Sequence, residues 1–229
     1  MTIPYTFNRM GVSASGGGGD MPTSGLVFYA PLSDSTALSA ETGQALTYTG
    51  TFTSETYKGI TSLNTTQHSC ITMNDTTGFP TGNDPWTVSF WMNERQIEGG
   101  DFAYAFTMGT EQQYSLMLIG SYPSQDKFQF GPGWVDTTFD GFTQDTWYHM
   151  VESYDGSQMH FYVNGVKQGV INYNASISYD ITYTLGLFAR PNVDFQEGLL
   201  GNVAAVRVYD RCLSDDEITQ LATEFTPTV

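Results

Sequence analysis

The last thirty or so residues of this 229-residue chain place the tightest limit on its fold. Between Val203 and Tyr209, small and apolar side chains occupy every second position, which is the period of a β-strand. Ser214 then precedes Glu217 by the spacing of a helix capping box, and apolar residues up to Phe225 recur at helical spacing. This ending predicts a β-sandwich that is closed by one strand and covered by one short helix.

Turn signals separate short apolar segments along most of the remaining chain. Asn164-Gly165 stands between two such segments and is the strongest hairpin signal in the sequence. Asp155-Gly156 marks a second tight turn just upstream. Aromatic residues form 14% of the chain, and aromatic side chains suit the pleated, half-buried surface of a sheet. The pattern is that of an all-β chain with helical periodicity only at its end.

Four segments share both their pattern and their order with one group of domains. They are Gly25–Leu32, Trp86–Met92, Thr146–Val166 and the closing segment that begins at Gly198. Together they resemble the laminin-G-like members of the concanavalin A-like lectin/glucanase superfamily. The resemblance implies an all-β fold, a two-sheet antiparallel jelly-roll sandwich with a short C-terminal helix. It implies little about function, because this fold carries lectins, adhesion modules, enzymes and spacers.

The first part of the chain, residues 1–24, is predicted to stand apart from a jelly-roll domain of residues 25–229. Apolar side chains alternate in the first ten residues, and four consecutive glycines, Gly16–Gly19, follow as a flexible tether. An alternating apolar peptide before a spacer suits docking as an added strand on a partner's sheet edge. Packing of the peptide back onto its own domain is the alternative. The predicted anchor residues are Ile3, Tyr5, Phe7 and Arg9.

The charge of the chain argues against several classes of partner. The formal net charge is -16 and the pI is about 4.1, so the surface repels phosphate backbones and anionic membranes. We therefore expect no nucleic-acid partner and no membrane insertion. No apolar run suits a signal peptide or a transmembrane span. We expect the protein to be made in the cytoplasm and to reach a virion or surface assembly as a part of it.

The sequence lacks the catalytic motifs that are typical of hydrolases. Laminarinase-type glucanases of the superfamily carry a Glu-x-Asp-x-x-Glu strand that places carboxylates on one face, and this chain lacks it. No Gly-x-Ser-x-Gly elbow accompanies the three histidines, His68, His149 and His160. His149 and His160 are expected on one sheet face, one diagonal apart, facing solvent or tyrosine hydroxyls. The sequence predicts a protein that is not an enzyme.

A calcium ion is the one cofactor that the sequence leaves open. Many superfamily members hold calcium through an aspartate of the last strand, but the matching positions here are Ala204 and Ala205. Acidic loops still suit this cation, which takes oxygen ligands. The candidate ligands are Asp34 and Asn202. The two cysteines, Cys70 and Cys212, are expected to be free thiols.

Glycan binding requires an aromatic platform surrounded by polar groups that hydrogen-bond hydroxyls. Trp134 stands in a glycine-rich segment, whereas the other three tryptophans stand in strand-like segments. We predict Trp134 as the platform, with the alternative that it plugs one end of the sandwich. The predicted glycan-binding residues are Trp134, Tyr122, Asp136, Arg190, Asn192 and Asp194.

These features predict a non-catalytic recognition module that its N-terminal peptide tethers to a larger assembly, with glycan binding at its loops. The docking-like N-terminus, the lack of a signal peptide and the laminin-G-like pattern together resemble accessory proteins of tailed bacteriophage particles. Capsid decoration proteins and head fibres are examples. A free-standing carbohydrate-binding lectin and a diverged glycoside hydrolase are the alternatives.

Overall fold

The computed structural model describes residues 21–66, 69–96, 103–109, 117–122, 127–132, 137–172, 177, 185–189 and 198–228. It confirms the predicted all-β fold with a short C-terminal helix. In chain order the elements are β1 (Leu26–Ala30), β2 (Thr47–Thr49), β3 (Thr53–Tyr57), β4 (Ile60–Thr65), β5 (Cys70–Met73), β6 (Trp86–Gln96), β7 (Ala103–Met108), β8 (Met117–Tyr122), β9 (Lys127–Pro132), β10 (Thr137–Asp140), β11 (Trp147–Tyr154), β12 (Gln158–Val163), β13 (Val166–Asn172), β14 (Leu185–Leu187), β15 (Leu200–Tyr209) and α1 (Asp215–Leu221).

The strands form two antiparallel sheets, as the sequence predicts for a jelly-roll sandwich. Neighbours in the larger sheet follow the order β13-β12-β11-β6-β15-β4-β3, and β1 also pairs with β15. The smaller sheet has the order β10-β9-β8-β7-β14-β5-β2. The predicted Asn164-Gly165 turn joins β12 to β13, and both residues have positive φ, at 52° and 76°. Such angles are those of a tight hairpin turn.

The main core lies between the inner faces of the two sheets. On β6 the buried Val88, Phe90 and Met92 alternate with residues of the opposite face, because successive side chains of a strand point to opposite sides. Phe90 stacks on Phe106 of the smaller sheet with ring centroids 5.8 Å apart. The alternation leaves a second, outer face of the larger sheet, which other parts of the chain cover.

Helix α1 covers one part of this outer face. The predicted capping box is present: Glu217 N donates to Ser214 Oγ at 3.3 Å, and Ser214 N donates to the Glu217 carboxylate at 2.9 Å. Ile218 and Leu221 are buried against a cluster that includes Tyr209. In the part of the chain that the structure describes, no helix is long and apolar enough to cross a membrane.

The C-terminal strap, residues 223–228, continues from α1 across the outer face. The Phe225 and Trp91 rings pack edge-to-face, with their centroids 5.7 Å apart. Glu224 accepts two hydrogen bonds from Arg207, at 2.6 and 2.8 Å, and the Arg207 side chain is only 5% exposed. The strap therefore pairs a buried charge while it shields an aromatic cluster.

The β3–β4 hairpin covers the remaining part of the outer face. β4 pairs with β15 over only three positions, because β1 occupies the same edge of β15 further along. The other end of the hairpin crosses over the sheet, where Trp147 Nε1 of β11 donates to the Tyr57 carbonyl oxygen at 2.9 Å. Ile60 also packs with Trp91 and Trp147 there. Trp91 therefore lies between the strap and this hairpin.

Both cysteines are free, as expected from the sequence. Cys70 is buried in β5, and its burial raises the pKa of the thiol to about 12. Cys212 is half-buried beside Ser153.

Candidate functional site

One end of the sandwich brings together strands that are far apart in sequence. Leu200 at the start of β15 pairs with Gln96 at the end of β6. Leu199 N donates to the carbonyl oxygen of Tyr104 near the start of β7, and β7 begins beside the end of β8. We call this end the amide end, after three asparagines that lie there.

These asparagines form the amide row, which consists of Asn64, Asn93 and Asn202. Asn202 in β15 is the register partner of Asn64 on one side and of Asn93 on the other. Register partners share a sheet face with Cβ atoms about 5 Å apart. Their sequence neighbours belong to the main core, so the row faces outward. Asn64 belongs to β4 of the β3–β4 hairpin, and Asn93 and Asn202 lie beneath that hairpin. Its exposed fractions are 7%, 0% and 0%.

Among the described residues, the hairpin supplies hydrogen-bond partners to only one amide group of the row, that of Asn202. Asn202 Nδ2 donates to Glu55 Oε1 at 2.8 Å and to Ser62 Oγ at 3.0 Å. No described residue pairs with Asn202 Oδ1, Asn64 Oδ1 or either amide atom of Asn93. The amide row thus has hydrogen-bonding groups that the fold itself leaves unused.

A charged group of residues, the Tyr57 cluster, lies beside the row and reaches the surface. It consists of Glu55, Tyr57, Lys58, Arg95 and Asp145. The Arg95 guanidinium stacks on the Tyr57 ring, 3.9 Å from its centroid, and binds Glu55. Asp145 accepts from Tyr57 Oη at 2.7 Å and from Lys58 Nζ at 3.1 Å. The Tyr57 hydrogen bond holds the pKa of Asp145 below its usual range.

The Tyr57 cluster presents planar polar groups in fixed positions at the amide end. The side chains of Arg95 and Glu55 are each about a third exposed, and that of Asp145 is 45% exposed. Their charges are paired with one another, which suits hydrogen bonding to a neutral ligand better than binding of a free ion. Hydroxyl groups are ligands of this kind.

Of the six predicted glycan-binding residues, the structure describes only Tyr122. Tyr122 ends β8 at the amide end. Arg190, Asn192 and Asp194 lie outside the described residues. The described chain stops at Ala189 and resumes at Gly198, which bridges to Tyr104 at this same end.

Trp134 and Asp136 also lie outside the described residues, but the chain on either side of them is described. It stops at Pro132 and resumes at Thr137, at the opposite end of β9 from Lys127, the register partner of Tyr122. The six residues of β9 span about 17–20 Å, at roughly 3.3 Å per residue. One compact site that contains both Tyr122 and the Trp134 segment would have to bridge that distance.

The predicted anchor residues Ile3, Tyr5, Phe7 and Arg9 lie outside the described residues, and their role stays a prediction. The first described residues pack on the domain beside α1. Met21 contacts the cluster under the helix, and Tyr209 Oη donates to the Pro22 carbonyl oxygen at 3.1 Å.

The two candidate calcium ligands have separate surroundings. Asp34 lies in an exposed turn, where its carboxylate accepts from Thr36 N at 2.8 Å and Oγ1 at 2.7 Å. Asn202 is buried in the amide row. Within the described ranges, no group of three His, Cys, Asp or Glu residues could hold a metal ion. With methyl groups at Ala204 and Ala205, these residues do not fit the calcium site that the family resemblance implies.

The prediction for the histidines was right about the sheet face, and it was wrong about their spacing and about the solvent exposure of His149. His160 is the register partner of Ser153, so it lies four strand positions from His149 rather than one diagonal away. His149 does not face solvent: it is fully buried and its Nε2 is 2.8 Å from Ser89 Oγ. Burial, together with the Arg207 charge, lowers the pKa of His149 to about 3.

Sequence reasoning named Asn202 only as a metal ligand and missed Asn64 and Asn93. A signal was present, since asparagine is depleted in strands and all three stand within strand-like segments. The three asparagines become neighbours only through the register between β4, β15 and β6. The sequence of each segment alone does not determine that register.

Comparisons with known proteins agree with this architecture. No functionally curated protein matches the sequence. Domain 4 of AbnA, a GH43 extracellular arabinanase from Geobacillus stearothermophilus, was solved in complex with arabinotriose. It has a TM-score of 0.67 and 21% identity, over 86% of this chain and 98% of that one.

Toxin binding domains have the same fold. The binding domain of Paraclostridial mosquitocidal protein 1 gives a TM-score of 0.66 at 12% identity, over 86% of this chain and 52% of that one. The binding domain of botulinum neurotoxin DC, in complex with SialylT, gives 0.60 at 11% identity, over 86% and 51%. The chain therefore spans about half the length of these toxin domains.

The family itself follows from a direct sequence match. Residues 63–219 match a laminin-G family described as the concanavalin A-like lectin/glucanases superfamily. The match covers more than half of the chain and includes the closing strand and most of the capped helix that first pointed to this fold. The chain belongs to the concanavalin A-like lectin/glucanases superfamily.

Proposed function

We propose that this protein is a non-catalytic recognition domain that binds glycans at the amide end of its sandwich. The observation that carries the proposal is a convergence at this end. Tyr122, the partly exposed Tyr57 cluster and both points where the 190–197 segment joins the described chain all meet there. Glycan sites need aromatic surface and planar polar groups of this kind.

The similar structures and the charge of the chain support a glycan ligand and narrow its type. Domain 4 of AbnA was solved with arabinotriose, and a botulinum neurotoxin binding domain was solved with SialylT. A net charge of -16 repels sulfated polyanions. A neutral oligosaccharide is therefore the first probe, and arabinotriose is available for that purpose.

The test is calorimetric titration of the full chain with arabinotriose and then with a panel of neutral oligosaccharides. Tyr122→Ala at the amide end, and Arg190→Ala in the 190–197 segment that joins the described chain there, are expected to weaken binding about tenfold or more, equivalent to about 1.4 kcal/mol. Gln168→Ala on the far edge strand β13 is the matched surface control. Failure of the full chain to bind any of the glycans would contradict the proposal.

Trp134→Ala tests the location of the site, because its segment joins the described chain at the other end of β9. We expect it to leave arabinotriose affinity unchanged. If it abolishes binding while the amide-end variants do not, the site lies at the opposite end and Trp134 is its platform.

The absence of catalysis is part of the proposal. It is supported by the missing Glu-x-Asp-x-x-Glu pattern and by the binding domains among the similar structures. Incubation with the same oligosaccharides should release no new reducing ends. Hydrolysis that persists in a highly purified sample would identify a diverged glycoside hydrolase instead.

We further propose that residues 1–20 tether the domain to a larger assembly, such as a viral capsid. Support comes from the alternating apolar peptide before Gly16–Gly19 and from the position of Met21 beside α1. A pull-down from the native assembly should succeed with the full chain and fail with a triple Ile3→Ala, Tyr5→Ala and Phe7→Ala variant. Equal recovery of both proteins would instead indicate a free-standing lectin.

A further inference from the structure

The geometry points to a second binding site, buried under the β3–β4 hairpin, in which the amide row holds one hydroxyl group. The chemical class is a small ligand oxygen that both donates and accepts hydrogen bonds. Its resident source is a trapped water molecule, and a saccharide hydroxyl is the other source of the same chemistry. The inference stands on the amide row alone and does not depend on the proposed glycan function.

The amide row concentrates several unpartnered polar atoms in one small space. Asn93 and Asn202 have no exposed surface, and Asn64 is 7% exposed. Asn93 Oδ1 and Nδ2, Asn202 Oδ1 and Asn64 Oδ1 have no hydrogen-bond partner among the described residues. Each such buried atom costs about 1–3 kcal/mol when it stays unpaired. Three adjacent strands each have an unpaired amide atom on the same face. One partner shared by all three amides explains this most simply.

The unpartnered atoms of the row include both hydrogen-bond donors and acceptors. A bare cation could use the carbonyl oxygens but would face the Asn93 NH2 group and the nearby Arg95 guanidinium. An anion would face the carbonyl oxygens and the Glu55 carboxylate. Rotation of an amide by 180° only exchanges an acceptor for a donor, so the mixed character of the row persists. A hydroxyl oxygen satisfies such a mixture, and buried waters typically make about three bonds of this kind.

The β3–β4 hairpin limits the access of ligands to the amide row. The Tyr57 cluster and the Trp147–Tyr57 hydrogen bond hold the hairpin over the row. A water molecule fits beneath such a cover without any change in the fold. A saccharide could supply the hydroxyl only if the hairpin lifted, which would break the Arg95–Glu55 pair. The resident ligand is therefore water.

The direct test is a high-resolution crystal structure of the full chain, with and without arabinotriose. We expect ordered density within about 2.7–3.2 Å of at least three amide atoms of the row. A water there in both crystals supports the proposal with water as the source. A saccharide oxygen at the same position supports it with the glycan as the source. Amides that bond to one another, with no density between them, would overturn it.

A stability measurement with Asn93→Leu gives an independent answer through its sign. If a hydroxyl is bound, the variant strands the amides of Asn64 and Asn202, and the urea midpoint falls. If the site is dry, the variant removes two unpaired polar atoms and the midpoint rises, which would contradict the proposal. Asn172→Leu on the exposed face of β13 is the matched control for an Asn-to-Leu exchange in a strand.

Oxygen-17 relaxation dispersion of water around the wild-type protein completes the test without any variant. A long-lived internal water that disappears in Asn93→Leu is the expected result. The same relaxation in both proteins would assign the water to another site and count against the amide row.

Discussion

Two segments cover the same outer face of the larger sheet, and they bury different polar groups. Under the C-terminal strap, the charge of Arg207 is matched by a bidentate contact with Glu224, and Phe225 packs on Trp91. Under the β3–β4 hairpin, the amide row keeps four polar atoms without a partner among the described residues. A cover that pairs its buried charge serves the fold. A cover that leaves several neighbouring amide atoms unpaired in one row is where a ligand is expected.

The largest effect should come from breaking the ion pair under the strap. Glu224→Gln leaves the Arg207 guanidinium buried with no carboxylate, and removal of one partner of a buried pair costs about 3–5 kcal/mol. Urea unfolding should show this loss of stability. The control is Asp215→Asn, which breaks an exposed pair with Lys167 and should cost less than about 1 kcal/mol. Equal effects from both variants would remove the contrast between strap and surface.

The next effect is a pH dependence that originates under the strap. The pKa of His149 is about 3 in the folded protein and near its ordinary 6.5 in the unfolded chain, so the unfolded chain binds the extra proton between these values. Stability is therefore complete above pH 6.5 and falls as the pH drops, by about 1.4 kcal/mol per pH unit once well below 6.5. Urea midpoints from pH 7 to about 4.5 measure this slope before most carboxylates titrate.

His149→Gln is the matched variant for that slope. Glutamine can keep the hydrogen bond to Ser89 but does not titrate, so the slope between pH 6.5 and 4.5 should flatten. A slope that is unchanged in the variant would assign the pH dependence to other groups.

The smallest of the three effects tests the hairpin side of the comparison. At Gly201, an added Cβ would collide with the Asn93 carbonyl oxygen and lie 2.9 Å from Arg95 N, both backbone atoms. Gly201→Ala should cost about 1–3 kcal/mol in urea unfolding, as overpacking typically does. Gly43→Ala is the control, because that glycine also has positive φ but no atom within 4 Å of the added Cβ. Equal costs would show that backbone preference, rather than the approach of β6 to β15, sets the effect.

Particular elements show how far sequence reasoning reached. The capping box of Ser214 and Glu217 and the Asn164-Gly165 turn depend on neighbours a few residues apart, and both predictions are confirmed. The spacing of His149 and His160 was predicted incorrectly because it depends on the register of two strands. The predicted glycan-binding residues stay a prediction, because only Tyr122 among them lies within the described residues.

The sequence by itself determined the elements that depend on contacts between nearby residues, namely the alternating strands, the tight turns and the capped helix. It also determined the family pattern that these elements form. Only the tertiary structure decided which strands meet and what covers the outer face. Asn202 binds Ser62 and Glu55 across 140 and 147 residues of chain. Such contacts depend on sheet order and on the edge of β15 that β1 and β4 share. The amide row exists because those long-range pairings place three asparagines at one register position, one of them in the hairpin and two beneath it.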